Sequence, residues 1–448
     1  MGDASRMIRS IVFFIMSVAT CAAGRDSLDW EACVRLAEQH HPRLVAAQAS
    51  VRAAQAGTDI AESSTLPQLS VSGSGRYSES GGAGVPATGR ESYGADFGVS
   101  QNLYSGGENR ARIDSARAGL EAAIRSYEIT AAEVTLDLRR AFIELLYAQQ
   151  QVALNRGILD RLIGNEKLVE LRYEGGREHK GSLALSRATT YEGRTDLAQA
   201  ERQRSIAREN LARTIGLDHV PPALAVTGAF EVDGTPVWSG GRELARATPE
   251  FSRRLALLDQ SEADLRSAES GLRPDLDLTG SAGRAGEDLY LDEYSWSAGV
   301  RLSFPFWSGG RERHRIRQAE AGLLQAEAEV RNTLDALTRT LADAYRSYAD
   351  AAENVEVRTR FLEASELRAS IARRQYESGL LSFENWDIIE SNLIQNRKQL
   401  LQSQRTALIA AAQWTRVRGL NAFDRAAVRR KESYDRREAR PAQRTEGP

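Results

Sequence analysis

Apolar residues step along this chain in two rhythms, and each rhythm occurs twice. In the second half, Ile316, Ala319, Leu323, Ala326, Val330, Leu337, Leu341, Ala344, Tyr348, Ala351 and Val355 recur at intervals of three, four or seven. Moving back 203 positions gives Ile113, Ala116, Leu120, Ala123, Tyr127, Val134, Leu138, Ala141, Leu145, Ala148 and Val152. A stripe sustained that far is a coiled-coil seam. A helix running from Gly107 to Glu174 would reach roughly 100 Å at 1.5 Å per residue. The other rhythm is strict alternation, the mark of a strand with one apolar face. Leu69, Val71, Gly73, Gly75 and Tyr77 oppose Ser70, Ser72, Ser74 and Arg76, and Tyr93, Ala95, Phe97, Val99 and Leu103 oppose Gly94, Asp96, Gly98, Ser100 and Asn102. The later half repeats this: Leu276, Leu278 and Ala282 oppose Asp277, Thr279 and Ser281, and Trp296, Ala298, Val300, Leu302 and Phe304 oppose Ser297, Gly299, Arg301 and Ser303.

These rhythms sit in a tandem duplication. Ser105-Gly106-Gly107 returns as Ser308-Gly309-Gly310, Tyr173-Glu174-Gly175-Gly176 as Tyr376-Glu377-Ser378-Gly379, and Gly216-Leu217 as Gly419-Leu420, without a gap. Each half opens with an amphipathic helix that includes a proline, Pro42 or Pro249, and a further helix that ends before Pro67 or Pro274. Proline is tolerated at a helix start and disfavours helix in the residue before it. The pattern predicts a first repeat over 27–217 with strands 68–77 and 93–104. A link over 218–240 follows, then a second repeat over 241–420 with strands 275–283 and 294–306. Ser78 to Ser92 and Arg284 to Asp292 are expected as hairpin loops. The tail, 421–448, is Arg-rich with no apolar period and is expected to be disordered.

The first residues change the picture. Arg6 and Arg9 precede the apolar run Ile11 to Val18 and the small residues Ala19 to Gly24, which is the form of a signal peptide, 1–23. Lipidation at Cys21 is an alternative, but Thr20 before it fits a lipid-attachment sequence poorly. Cleavage after Ala23 leaves Cys33 as the one cysteine, which makes neither an internal disulfide nor a thiolate metal site. No other stretch is long and apolar enough for a transmembrane helix. A β-barrel stays open, since its alternating strands leave a weak hydropathy signal. The formal net charge is only −2, so bulk charge identifies no partner and gives no reason to expect nucleic acid. The five histidines, His40, His41, His179, His219 and His314, have no ligand spacing, so no metal is expected. No phosphate-binding Gly-Lys-Ser/Thr loop, serine elbow or nucleophile–base pairing appears, so neither an enzyme nor a cofactor is expected.

Strands of about ten residues are long enough to cross a bilayer when tilted. Four of them cannot stand alone in lipid, because their edges would leave backbone groups unpaired. Two copies would give an eight-stranded barrel filled by side chains. Three would give twelve strands and a lumen, as a duct requires. At this point the chain resembles the TolC family of outer-membrane efflux proteins. Leu66-Pro67-Gln68-Leu69-Ser70, Val99 to Gly107, Leu302 to Gly310 and Tyr376-Glu377-Ser378-Gly379-Leu380 carry the resemblance. It implies an α+β membrane protein, mostly long α-helical coiled coil with four transmembrane β-strands per chain, closed as a 12-stranded barrel in a homotrimer. It also implies contact with outer-membrane lipid, and a periplasmic tunnel whose tip docks on an adaptor (membrane fusion) protein driven by an inner-membrane pump. The expected function is a passive exit duct for small molecules. The alternatives are the exit duct of a type I protein secretion system and a periplasmic coiled-coil scaffold without a pore.

The resemblance places the tip at Tyr173, Gly176, Tyr376, Gly379, Leu380 and Ser382, with both glycines ending helices at positive φ. Glu384, Asp387 and Glu390 follow at steps of three. In a symmetric trimer they would stack as acidic rings and form the constriction. The paired-Asp pattern common in the family is replaced here by Glu384-Asn385-Trp386-Asp387. Trp386 is expected as a packed seam aromatic. Arg368, Arg373 and Arg374 lie close enough to bridge protomers, and Asp96, Asp277 and Arg301 belong to the polar strand face.

Overall fold

The computed structural model describes residues 27–423 except 218, 222–223, 229–237 and 239, with backbone alone at 85–88. The expected signal peptide, Cys21 and the chain beyond Phe423 lie outside the described residues. Each half builds the same series. A short strand β1 (Ser27–Leu28) and helices α1 (Trp30–His40) and α2 (Pro42–Ser63) lead to the hairpin β2 (Gln68–Gly82) and β3 (Val85–Ser105). A helical hairpin follows, α3 (Glu108–Glu174) and α4 (Lys180–Ile215). The second half runs β4 (Ala225–Val226), α5 (Gly241–Arg246), α6 (Pro249–Ser270), β5 (Asp275–Gly286), β6 (Glu293–Ser303), α7 (Arg311–Glu377) and α8 (Phe383–Val417). Both α3 and α7 have 67 residues. Among the described residues no helix is long and apolar enough to cross a membrane.

Local chemistry sets the breaks. Pro42 and Pro249 open α2 and α6, and His41 and Thr248 before them are extended at ψ 116° and 146°. At each strand-to-helix corner both glycines of Ser-Gly-Gly take positive φ: 63° and 98° at Gly106 and Gly107, 66° and 84° at Gly309 and Gly310. A Cβ at Gly106 would lie 2.7 Å from Arg273 Cβ and 2.9 Å from Ser270 O, so space and backbone both demand glycine there.

The four long strands form one antiparallel sheet in the order β2-β3-β5-β6, with β2 and β6 as open edges. The register sorts the two faces. Ser70, Gly98, Ser281 and Ser297 form one row, and Asn102, Asp277 and Arg301 another on the same side. On the opposite side lie the rows Val71–Phe97–Ala282–Trp296 and Leu69–Val99–Gly280–Ala298. Val71 is 82% exposed and Trp296 74%, so none of the described residues covers that face. From the Leu276–Leu302 row to the Trp296 row is three steps of two residues, roughly 20 Å along the strand and about 14 Å after a tilt of ~45°. Adding the Tyr294 row makes four steps, roughly 27 Å along the strand and about 19 Å after the same tilt, which is most of the ~25 Å apolar height of a membrane barrel.

The strands correct the sequence reading in three places. Residues 78–92 do not form a loop: β2 and β3 run on and pair as far as Gly82 with Val85, across a two-residue turn. Small residues there pair under aromatic rings, with Tyr77 lying over Gly89 and Tyr93 beside Gly75, so a Gly/Ser-rich stretch remains strand. In the other hairpin, β5 continues to Gly286, and β6 stops at Ser303 instead of 306, ahead of Pro305, which has no N–H for a ladder. A bulge between Asn102 and Tyr104 hands the apolar face from Leu103 to Tyr104, which pairs with Leu276.

The helices pack around three clusters. One joins α1, α3 and α4 through Cys33, Val134, Leu138, Leu145, Leu211 and Ile215. Burial pushes the Cys33 thiol up to about 12, leaving it an inert core group. Phe423 enters the same cluster, and Ala422 N–H donates to Thr135 Oγ1 at 3.0 Å. The start of the tail is therefore docked, and 421 is too early a boundary for it. A second cluster joins α5, α7 and α8 around Leu341, Tyr348 and Trp414, and the third lies at the far end of the helical hairpins.

The sorted faces make a direct prediction. Leu69→Arg, in the middle of the apolar band, should destabilise folding into lipid vesicles by about 2–4 kcal/mol, whereas Ser70→Arg next to it should cost little. Urea titration of vesicle-inserted protein measures both, and equal costs would mean that the apolar face does not meet lipid.

Candidate functional site at the helical tip

The two helical hairpins turn at one end, and both turns use the same stop signal. Gly176 and Gly379 sit at φ 68° and 82°. Arg177 N–H donates to Arg172 O and Leu380 N–H to Gln375 O, each at 2.8 Å, closing the wide bond of a glycine-terminated helix. The return helices then start at caps 203 residues apart. His179 Nδ1 accepts from Ser182 N–H at 3.3 Å, while Ser382 makes no side-chain cap bond.

The repeat breaks where the hairpins meet. Tyr173 is exposed, but its counterpart Tyr376 is fully buried. Tyr376 stacks on Trp386 with ring centroids 4.3 Å apart and 7° between planes, and Phe383 packs at the edge of both. The Arg172 guanidinium lies 4.5 Å from the other side of the Tyr376 ring and donates to the Tyr376 carbonyl at 2.6 Å. The phenol donates to Glu178 Oε2 at 3.0 Å, bridging the α3–α4 turn to the end of α7. Glu178 Oε1 accepts from Ser182 Oγ at 2.9 Å and from His179 N–H at 3.2 Å. Burial works to raise the Glu178 carboxyl, but these hydrogen bonds outweigh it and hold the group below the usual carboxylate value.

The acidic triplet separates. A step of three residues advances 300°, so each member lies 60° back from the one before. Glu384 is exposed in the first turn of α8, Asp387 is half-buried, and Glu390 is turned inward at 3% exposure. Glu390 accepts from Arg161 Nε and Nη2 at 2.5 and 2.8 Å and from Asn165 Nδ2 at 3.3 Å. It locks α8 to α3, so its carboxylate is enclosed and paired within the chain and not presented at the surface as the spacing suggested. Burial first, and the Glu390 charge second, push the Asp387 carboxyl up from its usual value. Leu380 is 81% exposed, and Gly176, Gly379 and Ser382 are exposed beside it. Arg373 pairs with Glu377 on its own helix at 3.2 Å, and Arg368 and Arg374 are exposed. More links run up the α3–α8 seam. Arg405 Nε meets both Glu144 oxygens at 2.9 and 3.0 Å, Arg416 meets Glu133 at 3.3 Å, and Lys398 ties α8 to Asp196 of α4 at 2.6 Å.

Arg161, Asn165, Arg172 and Glu178 were not singled out from the sequence. Their repeat counterparts are Ala364, Arg368, Gln375 and Leu381. A loss of repeat identity beside a kept turn was the available signal.

Comparison with known proteins settles the family. The family model for outer membrane efflux proteins matches residues 33–217 and 242–420. The chain belongs to the outer membrane efflux protein family. It is similar to Protein CyaE of Bordetella pertussis, 24% identical over 414 residues, covering 88% of this chain and 86% of the relative. The outer membrane efflux protein BepC of Brucella suis is 24% identical over 423 residues, covering 90% and 88%. Among solved structures the fold matches CusC with a TM-score of 0.78 at 17% identity, over 90% of this chain and 96% of that one. It also matches VceC of Vibrio cholerae, with a TM-score of 0.73 at 19% identity, over 87% and 96%. The protein is thus an outer-membrane efflux component, with its strands in the membrane and its helices extending into the periplasm.

Tyr376→Phe keeps the ring stack and removes the bond to Glu178. It should weaken amide exchange protection across 175–180 by about 1–2 kcal/mol, and unchanged protection would show the bridge to be idle. Because the folded value of Glu178 is depressed, its stabilisation is present above the ordinary carboxylate value and is lost as pH falls through the lower folded one. Asp387 has the opposite sign. Its raised folded value makes the ionised form a penalty near neutrality that acidification relieves. Asp387→Asn should therefore raise the melting temperature at neutral pH and flatten its rise as the pH falls through the raised folded value towards the ordinary carboxylate one. A pH profile parallel to the parent protein's would contradict this.

Proposed function

We infer that three copies close twelve strands into one barrel and continue below it as a helical tunnel. The assembly is a passive exit duct for small molecules, and cargo crosses it without chemistry. The observation that carries this reading is the pair of open edges, β2 and β6, on a sheet with one apolar and one polar face. In lipid each edge must pair, and only a sister copy offers matching strands with matching faces. A periplasmic scaffold has no use for such a sheet. The name of the Brucella suis relative, an outer membrane efflux protein, supports efflux as the cargo class.

The tip is the gate in this reading. Tyr376, Trp386 and Glu390 form the internal lock, with Arg172, Glu178 and Arg161 as its partners. Tyr173, Gly176, Gly379, Leu380 and Ser382 are the surface left for a periplasmic adaptor, which an inner-membrane pump engages. Tyr376 is enclosed and takes no part in that contact. Glu384, repeated by the threefold axis, contributes a ring of carboxylates that favours cations, with Asp387 behind it.

Planar-bilayer recording tests the duct. Purified protein should insert as a trimer and conduct, and Glu384→Ala should reduce cation preference. A polypeptide that is monomeric in water without detergent, or bilayers that stay silent, would contradict the duct. A deletion strain tests the cargo class. Sensitivity to dyes and antibiotics supports efflux, whereas loss of a secreted protein with unchanged drug sensitivity would point to protein export.

A further inference from the structure

A polar groove lies midway along the helical hairpins, between α4 and α8 over α3, with a volume of about 530 Å³. Its side of α3 can be identified. Gln149 grips β4, donating to Val226 O at 2.9 Å and accepting from Val226 N–H at 3.0 Å. Phe142, on the same side, packs edge-on to Trp30 in the first turn of α1 with centroids 5.8 Å apart. At ~100° per residue, Tyr147 and Gln151 lie about 160° round the helix from Gln149, and Glu144 about 140°. The groove therefore opens opposite the strap made by α1, β1 and β4. In a closed ring of helices three such straps would fill the bore if they faced inward. They belong outside, and the groove faces the lumen. This step rests on the duct reading.

The lining is chemically selective. Ala148, Ala200 and Ala207 make a shallow floor. Two ion pairs bound the groove, Glu144 with Arg405 and Asp196 with Lys398, so its four charges cancel. The Arg405 guanidinium also lies 5.1 Å over the Tyr147 ring, which takes up part of that ring's surface. Between them stand the primary amides of Gln151, Gln199, Gln203 and Asn210, whose side chains bond no other described residue. Each amide both donates and accepts. A charged solute meets no uncompensated opposite charge here, and a lipophilic one meets little apolar surface. A neutral molecule rich in hydroxyls meets complementary amides on α3 and α4, in a volume that suits a drug-sized solute.

We propose that this groove is a luminal binding site for uncharged, polyhydroxylated cargo, which pauses there on its way through the tunnel. Raffinose is a suitable probe, with a polyethylene glycol of matched hydrodynamic size as the control that enters without hydroxyl recognition. Trimers in planar bilayers should show resolved, saturable current blocks with raffinose and only a smooth conductance decrease with the glycol. Gln199 and Gln203 are exposed and take part in no ion pair, so Gln199→Ala together with Gln203→Ala should leave the open conductance unchanged. The double variant should shorten the blocks about tenfold, the effect of losing roughly 1.4 kcal/mol of binding. Raffinose that acts no differently from the glycol overturns the proposal, as does a double variant blocked like the parent. Conductance without sugar block leaves the duct standing and removes only this site. Silent bilayers remove the duct and this site together.

Discussion

Every backbone amide and carbonyl in a bilayer needs a partner, and water is not available to supply one. That constraint governs this chain. Its four-stranded sheet pairs every inner strand but leaves β2 and β6 open at the margins. The same sheet presents Val71, Trp296 and Val300 to the surroundings on one side and serines, glycines and a few charges on the other. Open edges with sorted faces are unstable alone and stable when closed on themselves. Oligomer, lumen and lipid contact are thus consequences of a single accounting of hydrogen bonds.

The helical part answers a different demand, which is length. A 67-residue helix spans roughly 100 Å, far beyond what an isolated packed core needs. Such a rod holds its direction only if it is braced continuously. α3 is braced by α2 and α6 toward the sheet and by α4 and α8 toward the tip. The clusters around Leu138 and Leu341 fix the middle, and the seam of arginine–carboxylate pairs fixes α8 against α3. Exposed pairs of this kind contribute little each, so a polar seam can part at modest cost. The exception is Glu390, whose burial makes its pairing with Arg161 costly to break from one side. Strength is therefore concentrated near the far end of the helical hairpins.

Duplication gave the two halves equal spacing and nearly equal turns, but they do not do equal work. Tyr173 and Tyr376 hold the same place in the repeat, one on the surface and one sealed under Trp386 and Arg172. A ring of helices built from repeats alternates inner and outer contacts, so a residue and its counterpart meet different neighbours. Specialisation then appears as substitutions on one side only: Glu178 against Leu381, Arg172 against Gln375.

The sequence by itself determined the elements whose cause is local. Heptad spacing, the period-two faces, the prolines before α2 and α6 and the positive-φ glycines each act within a few residues, so the helices, the strands and the tip turns were legible. It also exposed the need for sister strands, because sidedness of a strand is a property of the strand. Only the tertiary structure decided which members of a local pattern face where. Glu384, Asp387 and Glu390 look equivalent as a spacing, yet 60° of drift per step sends the last one into a pocket shaped by α3. The extended β2–β3 hairpin, the bulge at Leu103, the docking of Phe423 and the Tyr376–Glu178 bridge likewise depend on a neighbour far away in the chain. A periodic pattern carries the direction of a side chain, and the identity of what it meets is set by packing between segments that the pattern cannot place.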